Sequence, residues 1–156
     1  MSSPALSRDD IPLLFSPPSG LYKTKLRKTE LRNFLAELTR RVTRGRTISC
    51  LVTSDAELRR MNKSYRRKDY ATDVLSFPSG EANGVAGDVA ISIDRARAQA
   101  KEHEHSIEDE LRILMLHGAL HLAGMDHEKD SGEMAHAEAR WRKKFGLPAS
   151  LIERSR

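Results

Sequence analysis

Three histidines stand in one short run, His117-Gly118-Ala119-Leu120-His121-Leu122-Ala123-Gly124-Met125-Asp126-His127. Neutral imidazole is a ligand for transition metals, zinc above all. His117 and His121 are four residues apart, so on a helix their rings share one face, one turn from each other. Gly124 can take the left-handed conformation that ends a helix and reverses the chain, which returns His127 to that face. Three imidazoles around one zinc ion leave the fourth tetrahedral position to water. That open position belongs to catalytic zinc sites, whereas structural sites fill all four and favour cysteine. One zinc ion per chain, held by His117, His121 and His127, is therefore the expected cofactor, although nickel and copper suit the same donors.

The spacing equals that of the metzincin proteases, His-Glu-x-x-His-x-x-Gly-x-x-His, in which the glutamate is the general base. Here that position is Gly118, which takes no proton. The pattern points to a zinc hydrolase, and the missing carboxylate argues against a zinc peptidase. Asp126 has two readings: an acceptor that orients a metal-bound imidazole from behind, or a residue that closes the turn. His103 and His105 lie two apart in an acidic run and are expected to be solvated, as is His136.

A second stretch runs from Asn62 to Pro78, Asn-Lys-Ser-Tyr-Arg-Arg-Lys-Asp-Tyr-Ala-Thr-Asp-Val-Leu-Ser-Phe-Pro. It is a basic helix end leading into a strand, and guanidinium groups there can grip a phosphate in bidentate fashion. Ser76 either touches substrate or packs the strand. Arg59, Arg60, Lys63, Arg66, Arg67 and Lys68 form one cationic cluster, and a second lies between Lys23 and Arg46. The net charge of +5 is thus gathered early in the chain. That distribution suits a nucleic-acid binder and equally a solvated helix face.

Taken together, the two stretches resemble the YbeY family, the endoribonucleases of ribosomal RNA maturation. The likeness is carried by Asn62, Tyr65-Arg66, Lys68-Asp69, Thr72 to Pro78, Gly87-Asp88, His117-Gly118, Leu120 to Leu122, Gly124, Asp126-His127, Glu133-Met134 and Glu138, over roughly residues 48 to 140. Arg67 and the pair Tyr70-Ala71 depart from the commoner glycine and Lys-Pro forms. The resemblance implies a single-strand-specific, metal-dependent endoribonuclease that acts on the 3′ end of small-subunit (16S) ribosomal RNA and in ribosome quality control. It implies zinc on the three histidines and a required Arg66, with single-stranded RNA, ribosomal RNA and the small ribosomal subunit as partners. His117 and Arg66 are then the expected catalytic residues, with Arg66 and Ser76 on the substrate side. Two alternatives stand beside it: a zinc-stabilised ribosome-assembly module without catalysis, and the peptidase that Gly118 opposes.

The elements must place these residues. Leu26, Leu31, Phe34, Leu35, Leu38 and Val42 recur at helical spacing and predict a helix over Thr24 to Val42, ended by Gly45. Residues 47–53 predict a buried strand, and Ser54 or Asp55 can cap the helix that follows, to about Tyr65. Strands are expected over Thr72 to Phe77, stopped by Pro78, and over Asp88 to Ile93. Asp94 can cap a helix to about Glu104. Ser106 opens the histidine helix, which is apolar nearly all round and so buried, and ends near Ala123. A last helix runs from about Ser131 to Phe145, with Trp141 and Phe145 packing it on the core. The order predicts an α+β fold, a small mixed sheet packed with helices. Residues 1–20 read as a loose lead-in with a short strand at Ile11 to Phe15, 21–150 as a single domain, and 151–156 as a polar tail.

Composition bounds the rest. With 156 residues, 38% hydrophobic and 31% charged, the chain suits one ordinary globular domain rather than disorder. No apolar run is long enough for a membrane span, and no secretory signal is read at the N-terminus, so no membrane partner and a cytoplasmic location are expected. The one cysteine, Cys50, lies in the apolar run Ile48 to Val52 and reads as a buried strand thiol, which excludes an internal disulfide and gives no cysteine-linked partner.

Overall fold

In the computed structural model, residues 13–15, 26–66, 72–79, 84–149 and 152 are described. Along them run β1 (Leu13–Phe15), α1 (Lys28–Arg41), β2 (Thr47–Thr53), α2 (Asp55–Arg66), β3 (Val74–Pro78), β4 (Val85–Ser92), α3 (Ile93–Glu102), α4 (Ile107–Leu122) and α5 (Glu133–Phe145). The strands form a sheet of order β1-β2-β4-β3, parallel except that β3 runs antiparallel to β4. Mixed strands beside helices make this the expected α+β architecture. The rest of the expected lead-in and nearly all of the expected tail lie outside the described residues.

Period-two alternation sorts the sheet into two faces. Ile48, Cys50 and Val52 of β2, with Val89 and Ile91 of β4, meet Leu31, Leu35 and Leu38 of α1 and the apolar surface of α4 in the main core. On the opposite face Leu58 and Met61 of α2 pack on Leu75, Phe77 and Ala90. Burial pushes the Cys50 thiol up to about 12, so it stays protonated and acts as a small apolar side chain.

Several boundaries differ from expectation for identifiable reasons. β4 begins at Val85, ahead of Asp88, and continues to Ser92. Ser92 rather than Asp94 therefore caps α3, its hydroxyl accepting from the Arg95 amide at 3.1 Å. The Asp94 carboxylate instead accepts from the Asp55 amide at 2.7 Å and ties α3 to the start of α2. Ser54 caps α2 as expected, accepting from Glu57 at 3.1 Å. Pro78 does not stop β3 short but is its last residue, opposite Gly87. It sits on the edge strand, where a missing N–H costs little.

Candidate metal centre

Ser106 caps α4, accepting from the Asp109 amide at 3.0 Å, and Glu108, Asp109 and Glu110 fill the first turn, where the helix dipole favours acids. The helix crosses the sheet at Gly118. A Cβ built there would lie 2.8 Å from Val89 Cγ1 and 3.2 Å from Ser76 Oγ, so only glycine allows this approach. The Ser76 hydroxyl donates to the Gly118 carbonyl at 3.2 Å and locks strand to helix. Position 118 faces the sheet, so a glutamate there would have no room. Gly118→Ala should gain about 1 kcal/mol in helix propensity but lose about 1–3 kcal/mol to overpacking. The expected result is a small net loss of stability in thermal unfolding, and failure to fold for Gly118→Glu.

α4 stops at Leu122, and Gly124 follows with φ 99°. Its amide donates to the His121 carbonyl at 3.0 Å, and the Met125 amide to Leu120 at 3.1 Å. This turn carries His127 back over the helix. His117, His121 and His127 then offer nitrogens that all lie within 4.8 Å of one another. His117 is buried at 6% exposure, His121 is half-buried and His127 is exposed. The cluster therefore opens to solvent on the His127 side.

The ring orientations test whether a metal fits. His121 Nδ1 lies 2.9 Å from the Met125 carbonyl, which can only accept, so that nitrogen carries the proton. His117 Nδ1 lies 2.7 Å from Glu138 Oε2, whose carboxylate likewise holds the proton on Nδ1. The two Nε2 lone pairs are then left facing each other at 3.2 Å. Two acceptors so placed repel unless a cation lies between them. Zinc–nitrogen bonds of about 2.1 Å in a tetrahedron separate the nitrogens by about 3.4 Å, so the spacing suits that ion. Burial first, then the neighbouring His117 and His127, lower the His121 pKa and favour the neutral ring that a metal needs.

Glu138 is the residue that spacing did not single out as part of the site. It is fully buried on α5; one carboxylate oxygen takes His117 and the other accepts from the Ile152 amide at 2.8 Å. Its signal in the sequence was an acid on the buried stripe of α5, beside Met134 and Ala137. Asp130 sets the start of that helix by accepting from the Gly132 and Met134 amides at 2.9 and 2.8 Å, so α5 begins at Glu133 rather than Ser131. Those two bonds lower the Asp130 pKa.

The other candidates fall as follows. Asp126 Oδ1 accepts from the Glu128 amide at 3.0 Å, which is the turn role; the bonds behind His117 and His121 come from Glu138 and Met125. Arg66 ends α2, and residues 67–71, with the rest of that basic cluster, lie outside the described residues. His105 corrects the expectation of a solvated ring. α3 ends at Glu102, so His105 lies beyond the helix, its side chain 9% exposed and Nε2 2.6 Å from the buried Glu110. His103 and His136 are exposed, as expected. Trp141 and Phe145 stack at 5.6 Å, and Phe145 packs edge-on against Phe34 of α1 at 5.0 Å. No helix among the described residues is long and apolar enough to cross a membrane.

Comparison with known proteins gives the chain a family. The family model described as Endoribonuclease YbeY matches residues 21–146. The Endoribonuclease YbeY of Solibacter usitatus is 57% identical over 129 residues, covering 83% of this chain and 86% of that one. That of Koribacter versatilis is 58% identical over 108 residues, covering 69% and 70%. The solution structure of TM1509 from Thermotoga maritima superposes with a TM-score of 0.59 at 27% identity, covering 86% of this chain and 89% of that one. With most of its length matched by that model and by relatives above half identity, the chain belongs to the Endoribonuclease YbeY family.

Proposed function

We propose that this chain is a single-strand-specific, zinc-dependent endoribonuclease of the cytoplasm. Its substrate is ribosomal RNA, at the 3′ end of the small-subunit species and in ribosome quality control, and residues 21–150 are its working domain. The observation that carries the reading is the pair of opposed Nε2 lone pairs on His117 and His121, with His127 on the solvent side. When bound, zinc supplies a Lewis acid for a phosphoryl oxygen and acidifies a water. The three histidines hold it, Glu138 and the Met125 carbonyl keep the Nδ1 protons away from it, and Arg66 pairs with the charge growing on the phosphate oxygens. Gly118 leaves no carboxylate where a peptidase needs its base.

Metal analysis of the purified protein, paired with cleavage of single-stranded ribosomal RNA, tests this. About one zinc per chain is expected, with cleavage lost to a chelator and restored by the metal. A 2′,3′-cyclic phosphate on the products would assign the attack to the RNA 2′-hydroxyl, and a 5′ phosphate beside a free 3′-hydroxyl to water. Metal-bound, folded protein that cuts no RNA yet still supports ribosome assembly would replace the enzyme with a zinc-stabilised assembly module.

A further inference from the structure

Between α2 and the sheet face turned away from α4 lies a cavity of about 440 Å³, within the usual size of small-ligand sites. One wall is Met61 and Tyr65 of α2, and another is Phe77 of β3. Leu14 of β1 lines it, as does a row that the strand register sets side by side, Ser49, Asp88 and Phe77. Tyr65 is 71% exposed and Leu14 64%, unusual for side chains of this size. Tyr65 and Phe77 meet edge to face at 5.7 Å.

The lining selects its occupant. Among the described residues it holds aromatic and aliphatic surface, one carboxylate, the hydroxyls of Ser49 and Tyr65, and no cation. A phosphate is therefore repelled, whereas a flat ring with amino donors on its edge is welcome. Arg59 and Lys63 of the same helix are exposed on its outer side, across the helix from Met61. Apolar walls for a base with positive charge outside for the backbone is how single strands are held. Successive residues of β3 point to opposite faces: Ser76 reaches the Gly118 carbonyl beside His117, and Phe77 faces the cavity. β3 is also the edge of the sheet. A strand of RNA draped over that edge presents a phosphate to the histidines on one side and a base to the cavity on the other.

We infer that this cavity is a base-reading subsite that takes one unstacked, amino-bearing base, cytosine or adenine, of the RNA substrate. The inference rests on the endoribonuclease reading for its substrate. Asp88 accepts from the exocyclic amine, a pairing that uracil, with carbonyl oxygens in that place, does not offer. Tyr65 and Phe77 supply the stacking surface.

The test uses zinc-loaded protein and short oligo(C), oligo(A) and oligo(U), with affinity read by fluorescence anisotropy and cleavage read separately as kcat and KM. Wild-type protein should bind oligo(C) and oligo(A) about 10-fold tighter than oligo(U). Asp88→Asn should lose most of that preference. Tyr65→Ala, at an exposed position, should weaken binding of every oligomer about 10-fold through KM with zinc content unchanged. Base-selective binding erased by these variants supports the subsite even if no strand is cut, a result that would sink the nuclease reading alone. Cleavage that treats the oligomers alike, with both variants at wild-type KM, overturns the subsite and leaves the nuclease standing. No binding to any oligomer overturns both.

Discussion

His121→Ala is expected to empty the metal centre and reduce RNA cleavage to background while the protein stays folded. A zinc-site free energy of about 10–16 kcal/mol spread over four ligands gives each roughly 2.5–4 kcal/mol, so affinity should fall about 10²–10³-fold. The cost to the fold is small by comparison. His121 is half-buried and its one protein partner behind the ring is the Met125 carbonyl, at a turn; losing that bond costs about 1 kcal/mol. Zinc content after dialysis, a cleavage assay and circular dichroism together read these effects. A His121→Ala protein that keeps stoichiometric zinc and full cleavage would remove the basis of the functional reading. His117→Ala is a less clean experiment, because it also strands the buried Glu138.

Replacing Glu138 with alanine should damage both stability and metal grip. It removes the partner of the His117 Nδ1 proton and of the Ile152 amide. Glu138 is fully buried, His117 is 6% exposed and Ile152 7%, so solvent compensates poorly. Two buried donors left unpaired cost about 2–6 kcal/mol, or roughly 5–20 °C in Tm for a chain of this size. Freed of its acceptor, the His117 ring can turn or shift its proton to Nε2, and zinc affinity should fall about 10–100-fold. Glu138→Gln separates the two roles. An amide has one acceptor oxygen, so it can serve the imidazole or the Ile152 amide but sets an N–H against the other. Zinc competition titrations should place Gln between wild type and Ala. Wild-type zinc affinity and Tm in both variants would show that the carboxylate positions nothing.

Much of the centre could be read from local pattern. The spacing of His117 and His121, the Gly124 turn and the Ser106 cap are all short-range features, and helix geometry alone relates them. The α+β class followed from runs of apolar residues such as Ile48, Cys50 and Val52. What escaped depends on distant pairing. Glu138 meets His117 across 21 residues, through the packing of α5 on α4. His105 looked solvated because its neighbours are acidic, yet the bend after α3 turns it onto Glu110. The turn reading of Asp126, by contrast, was local, and its carboxylate accepts from an amide two residues on. Gly118 read as a missing base; its close approach to Val89 and Ser76 appears only once the sheet lies beneath the helix. The parallel order β1-β2-β4 likewise has no local signature, since each pairing joins segments separated by other elements.

The link from His117 through Glu138 to Ile152 also sets an order of events during synthesis. Ribosomes make chains from the amino end, so all three imidazoles are polymerised before either group that steadies the innermost ring. A half-made polypeptide presents the ligands without their support, and its hold on an ion matures only after the stretch beyond α5 has emerged and docked.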